Sequence, residues 1–168
     1  AYALDASIWN TEYATVTIDH DAGVVRIAGT TNGKHGTIYG DQLFGSGICV
    51  WNTTAYQQTG TNSHNAGVVY PFIETTSRDI FYWRTNGAGS WSEAHLRIND
   101  AYIETSSQEG VNAIGTTEVY FAEGFGKVVH NGDEKVNRTN ADLQIPGGMR
   151  PWLGTYNQND GYVEADLC

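Results

Sequence analysis

The chain has 168 residues, of which 9 are Lys or Arg and 19 are Asp or Glu, so its formal net charge is −10. A field of that sign repels phosphate, which makes nucleic acid and anionic membrane poor partners and leaves a cation, a cationic partner or a neutral glycan. No apolar run approaches the ~18–20 residues of a membrane-spanning helix, and the length predicts one domain over 1–168 that buries about 70% of the surface its unfolded chain exposes.

No stretch keeps an apolar 3.6-residue period over ten residues, and glycine interrupts most candidates. Short alternating or β-branched runs separated by turn residues take the place of helices. "ATVTID" (14–19) passes through "HDAG" into "VVRIAG" (24–29), and "TNG" turns the chain at 31–33. "GICVWNT" (47–53), "GVVYPFIETT" (67–76) and "DIFYWRT" (79–85) follow, the last leading through "NGAG" into "SWSEAHLRIN" (90–99). "ND" then turns that strand into "AYIETSS" (101–107). "GTTEVYFAE" (115–123) precedes "KVVHNGDEKV" (127–136), which carries an Asn131-Gly132 hairpin of the type I′ kind. "MRPWLGTYNQ" (149–158) and "GYVEADL" (161–167) close the chain. About a dozen short strands at this spacing predict an all-β fold, an antiparallel β-sandwich or jelly roll.

Side chains alternate between the two faces of a strand, and antiparallel sandwiches keep one face dry. Val163, Ala165 and Leu167 alternate with Tyr162, Glu164 and Asp166 in this way. In "SWSEAHLRIN" the dry set is Ser92, Ala94, Leu96 and Ile98, and the wet set is Trp91, Glu93, His95 and Arg97. On the preceding strand Tyr82 and Arg84 alternate with Phe81 and Trp83, so one of those pairs must be inside. Aromatic rings are under-used where water is the only neighbour, whereas the C–H face of a pyranose stacks on a ring and its hydroxyls take planar partners such as Asn, Gln, Asp and Arg. Tyr82, Arg84, Trp91, Glu93, His95 and Arg97 are therefore the candidate glycan-contacting residues, joined by Tyr156 and Gln158 from "TYNQNDGY" (155–162). An ordinary solvated exterior is the plainer explanation of the same pattern.

Loop oxygens supply a candidate Ca²⁺ site, with Asp133, Glu134 and Asp160 as the ligands, although no D-x-D-x-D-G loop occurs. Cys49 and Cys168 are too few and too far apart for zinc and are candidates for a disulfide in an oxidising compartment. Asn52-Thr-Thr and Asn137-Arg-Thr match the N-glycosylation sequon. Both features fit an extracellular, virion-surface or cell-surface setting.

"KVVHNGDEKV", "RPWLGTYN" and "DGYVEADL" together resemble the end of a concanavalin A-like, laminin G-like jelly roll. That resemblance implies two curved, packed sheets and carbohydrate or receptor binding. A second resemblance is to the jelly-roll alginate lyases, on Trp91-Ser-Glu93-Ala-His95-Leu-Arg97, Val128-Val-His130 and Trp152-Leu-Gly154-Thr-Tyr156-Asn-Gln158. It implies Tyr156 as the proton-transferring residue, His130 assisting it, and Arg97 neutralising a uronate carboxylate. Glu93, Glu104, Glu118 and Glu123 are the acids from which a glycosidase pair would have to come.

Three functions follow from these readings. The first is a non-catalytic, lectin- or adhesin-like module with a glycan or glycosylated surface as its partner. The second is a structural subunit of a viral fibre or extracellular filament, which would be a homo-oligomer. The third is a polysaccharide lyase.

Overall fold

Where the sequence alternates, the chain forms strands. The structure, a computed structural model, describes residues 5, 7–57, 63–70, 79–86, 90–156 and 161–166. Among these, fifteen strands form: β1 (Trp9–Glu12), β2 (Ala14–Asp19), β3 (Val24–Gly29), β4 (His35–Gly40), β5 (Gly47–Gln57), β6 (Ser63–Tyr70), β7 (Asp79–Asn86), β8 (Trp91–Ile98), β9 (Ala101–Thr105), β10 (Glu109–Gly110), β11 (Gly115–Ala122), β12 (Phe125–His130), β13 (Asp133–Thr139), β14 (Arg150–Tyr156) and β15 (Tyr162–Asp166). The first sheet runs β1-β4-β14-β6-β7-β8-β10, with β9 also paired to β8, and the second runs β13-β12-β11-β5-β15-β3-β2. All pairings in both sheets are antiparallel.

The turn chemistry behaves as its residues require. Asn131 and Gly132 take φ of 52° and 81° between β12 and β13, and Asn99 and Asp100 take 48° and 61° between β8 and β9. Both hairpins thus have two left-handed central residues, which matches the twist of the strands they join. Strands β1, β4 and β10 have no counterpart among the predicted elements, and β6 begins four residues before the predicted 67.

The sandwich core lies between the inner faces. Phe81, Trp83, Ala94 and Leu96 of the first sheet meet Val119, Phe121, Val128 and Val136 of the second, and Leu143, Ile145 and Met149 close one side. A second cluster joins Ile38, Ala66 and Leu153 to Val25, Ile27, Trp51, Val163 and Ala165. Phe81 and Trp83 are therefore the inside pair, and Val163 and Ala165 face inward opposite Tyr162, Glu164 and Asp166. One end of the interior is polar. There Thr53 Oγ1 lies 3.2 Å from His64 Nε2, Thr117 Oγ1 lies 2.9 Å from His130 Nδ1, and the Thr85 and Ser92 hydroxyls are 2.8 Å apart.

Alternation on β5 also decides the cysteine. Cys49 points inward with Trp51 and Thr53, its Sγ aimed at the Gly67 carbonyl oxygen, and among the described residues it has no disulfide partner. Burial pushes its pKa up to about 12. Cys168, its anticipated partner, lies outside the described residues. The two sequons fall on different surroundings. Asn52 sits mid-strand with its amide engaged by Asp166 and Thr116, whereas Asn137 is exposed on the edge strand β13.

At Gly67 the neighbouring strand β7 leaves no room for a side chain. A Cβ added there would lie 2.1 Å from the Phe81 carbonyl oxygen and 2.7 Å from Tyr82 Cβ. Gly67→Ala is expected to destabilise the protein by about 1–3 kcal/mol through overpacking, read as a lower urea midpoint. An unchanged midpoint would mean that the strands are not this close.

Candidate functional site

The outer face of the first sheet is where the candidate residues converge. Cross-strand register stacks them in rows. Gly67 opposes Tyr82, which opposes His95; Asn65 opposes Arg84, which opposes Glu93; and Asn86 opposes Trp91. On the other side of β6, strand β14 brings Trp152 opposite Gly67 and Tyr156 opposite Ser63, and β4 brings His35 opposite Tyr156. A register shift between Leu96 and Arg97 sets Arg97 against Tyr102 of β9. Tyr82, Arg84, Trp91, Glu93, His95, Arg97 and Tyr156 thus share one face, while Gln158 lies outside the described residues.

That face is not the open, solvated surface that alternation alone suggests. Tyr82, Glu93, His95 and Trp152 are 4%, 7%, 3% and 1% exposed, because long neighbouring side chains cover them. Rings run in sequence across the sheet. Tyr156 lies 4.5 Å from His35, His35 lies 5.6 Å from Trp152, and Trp152 meets Tyr82 edge-on at 6.3 Å. Tyr82 stacks on His95 at 5.0 Å, and His95 lies 5.0 Å from Tyr102. Guanidinium groups lie over other rings: Arg84 over Trp91 at 5.1 Å, Arg97 over Tyr102 at 4.7 Å and Arg150 over Tyr39 at 5.5 Å. Such contacts hold a long cationic side chain in place and leave its edge able to donate.

A cleft of about 310 Å³ opens in this face, lined by Lys34, His35, Ser63, Asn65, Tyr82, Arg84, Arg97, Trp152 and Tyr156 among others. Beside it Glu93 and His95 form a buried pair, with Oε1 2.6 Å from Nε2. Gln108 Nε2 donates to the other carboxylate oxygen at 3.3 Å, and Thr105 Oγ1 lies 3.4 Å from His95 Nδ1. Burial is the main reason the His95 pKa falls to about 4; Arg84 and Arg97 add to the fall and Glu93 opposes it. The ring is therefore neutral at pH 7. Burial likewise raises the Tyr82 phenol, with Arg97 and Arg84 acting in the opposite direction.

Several candidates are not brought together. His130 faces inward on β12 in the second sheet, fully buried and stacked on Trp83 at 4.6 Å, so it cannot assist Tyr156 and the lyase set is not assembled. Strand β14 is flanked by β4 and β6, and the ring beside Tyr156 is His35. The four glutamates are scattered. Glu93 is on this face, Glu104 lies 3.6 Å from Arg138, Glu118 accepts from the Tyr120 hydroxyl, and Glu123 accepts from the Ile145 amide. Among them no pair faces one sugar, as two-carboxylate hydrolysis requires.

The calcium ligands also point elsewhere. Asp133 Oδ2 lies 3.6 Å from Lys135 Nζ and Glu134 accepts from Asn137, while Asp160 is outside the described residues. Among the described residues no group of three or more His, Cys, Asp or Glu is placed to hold a metal ion, and no helix is long and apolar enough to cross a membrane.

Sequence reasoning missed His35, Asn65 and Trp152. Glycines at 36 and 40 hide β4 from a β-propensity reading. Trp152 carried a usable signal, since it shares the alternation of Gly154 and Tyr156.

Comparison with known proteins places this architecture. A β-glucanase from Bacillus licheniformis superposes with a TM-score of 0.70 at 14% identity, over 98% of this chain and 92% of that one. The carbohydrate-binding module CBM66 from Bacillus subtilis gives 0.60 at 9% identity, over 94% and 92%. The κ-carrageenase of Pseudoalteromonas carrageenovora, solved with an oligotetrasaccharide of κ-carrageenan, gives 0.65 at 9% identity, over 98% and 88%. The fold is a jelly roll. No protein-family model matches the chain, and no curated protein matches it. The jelly-roll resemblance read from the C-terminal strands agrees with these likenesses.

Proposed function

We propose that the protein is a lectin- or adhesin-like carbohydrate-binding module that holds a glycan across the outer face of the first sheet. The observation that carries this is the cleft itself. Half-buried Tyr156 offers a ring surface there, the buried Trp152, Tyr82 and Asn65 form the floor, and Arg84 and Arg97 offer planar polar groups beside it. Apolar sugar faces stack on rings and hydroxyls pair with amides and guanidinium groups, so one surface satisfies both halves of a sugar. Solved proteins of the same fold include a β-glucanase and a carbohydrate-binding module, which supports the reading. The scattered carboxylates favour binding over hydrolysis. A module of this kind works outside the cell or on a cell or virion surface.

The test is a broad glycan array with calcium present, followed by Tyr156→Ala. Selective signal for a related set of glycans is expected, with Tyr156→Ala weakening it about tenfold, as loss of a central aromatic contact does. A blank array from folded protein would overturn this reading in favour of self-assembly. In that case Ile48 and Val50, which are 57% and 56% exposed on the outer face of the second sheet, would be the place to seek the contact.

A further inference from the structure

We infer that the cleft selects a negatively charged sugar, one bearing a carboxylate or sulfate, with Arg84 and Arg97 as its receptors. This rests on the glycan-binding reading and narrows it. Over the whole chain acids outnumber bases by 19 to 9, so an average patch of surface carries about two carboxylates for each cation. The cleft reverses that ratio. Lys34, Arg84 and Arg97 line it together with His35, and among the described residues no Asp or Glu does. Arg150 extends the same face.

Cations elsewhere are largely paired. Arg26 meets Glu164, Lys135 lies 2.7 Å from Glu109, and Arg138 lies 3.6 Å from Glu104. Arg84 has no carboxylate partner among the described residues, and it is held over the Trp91 ring. Arg97 is partly engaged, with Nη2 2.9 Å from Asp100 Oδ1. The Nε atoms of Arg84, Arg97 and Arg150 are all buried without a hydrogen-bond partner among the described residues. Buried donors left unpaired are costly and uncommon, and three on one face point to an acceptor that arrives from outside.

The placement suits a charged sugar lying along the cleft. Arg84 and Arg97 sit on adjacent strands, with Arg97 opposite Ile80, four residues before Arg84. Their α-carbons are therefore roughly 14 Å apart on strand geometry, and the two side chains line the cleft together. Tyr82 stands between them and feels both guanidinium charges. A guanidinium fork matches the planar oxygens of a carboxylate and pairs equally with a sulfate. The net charge of −10 does not prevent this. Screening limits distant charges to about 8 Å in physiological salt, whereas the arginine contacts are direct.

The test compares polymers that differ only in charge. Affinity electrophoresis would measure polygalacturonate against its carboxyl-reduced form, and a sulfated galactan against its desulfated form. The acidic member of one pair is expected to bind at least about tenfold tighter, the scale of one charge-assisted contact. Which pair responds identifies carboxylate or sulfate. Arg84→Gln and Arg97→Gln should each weaken that binding about tenfold more than they weaken binding of the neutral polymer. Lys127→Gln, on the second sheet, should change nothing. The wild-type comparison stands even if an arginine variant misfolds. Tighter binding of the neutral polymers would overturn the charge inference and leave the glycan reading intact. Acidic binding that survives both arginine substitutions would overturn the assignment of these receptors. Failure to bind any polymer of either charge would remove both readings together.

Discussion

Between pH 6.5 and about 4 the protein is expected to lose most of its stability. Three histidines are held neutral by the fold. His64 falls to about 3, first through burial and then through His130. His130 falls to about 4, through burial and then Lys135, with Glu109 opposing. His95 falls to about 4 chiefly through burial. All three native values lie below the unfolded value near 6.5, so in this window the unfolded chain binds more protons than the native one. Stability is therefore fully present above pH 6.5 and is lost as pH falls through the native values. A fall from 6.5 to about 4 is worth on the order of 3 kcal/mol per ring, against a total of about 5–15 kcal/mol for a domain. Near pH 5 close to three protons are taken up on unfolding, a slope of roughly 4 kcal/mol per pH unit. Urea unfolding at pH 7.5, 6 and 5 measures this slope directly. Uptake of fewer than one proton would show that the rings are solvated or charged in the native state.

Two tryptophans should separate stability from binding. Trp83 is fully buried at the centre of the core, donates from Nε1 to the Asn112 carbonyl oxygen at 2.7 Å and stacks on His130. Trp83→Ala is expected to cost about 3–5 kcal/mol, from lost transfer energy, a cavity and an orphaned carbonyl. Trp91 is only half-buried and serves mainly as the surface over which Arg84 lies. Trp91→Ala should cost under about 1 kcal/mol in stability while weakening glycan binding, because it frees the Arg84 side chain. Denaturant midpoints together with binding to the best array glycan would measure both. A sharp loss of stability in Trp91→Ala with binding intact would make that ring part of the packing and remove it from the site.

Much of this was legible in the residues. Alternation in 79–85 and 90–99 placed Tyr82, Arg84, Glu93, His95 and Arg97 on one side and Trp83 and Leu96 on the other, as the structure has them. Asn-Gly and Asn-Asp marked both hairpins, because few residues accept two left-handed positions in succession. His130 shows where such reading stops. Its own strand alternates clearly, but a wet or dry face cannot be assigned until the sheet that holds the strand is known. The structure puts β12 in the second sheet with His130 turned into the core, so the partner that the lyase resemblance implied for Tyr156 lies in the opposite sheet.

Side-chain alternation and turn type are properties of two to five neighbouring residues, and the sequence by itself determined them: most of the strands, the two hairpins and which residues of a strand share a side. Strand order is a different matter. β15 pairs with β3 across 138 residues at the Arg26–Glu164 contact, and β14 inserts between β4 and β6 to bring Tyr156 and Trp152 beside His35 and Tyr82. Closing such long loops is costly in entropy and is favoured only by burial of whole inner faces against each other. The cleft, the arginines that line it and the exclusion of His130 were therefore decided by the tertiary structure alone.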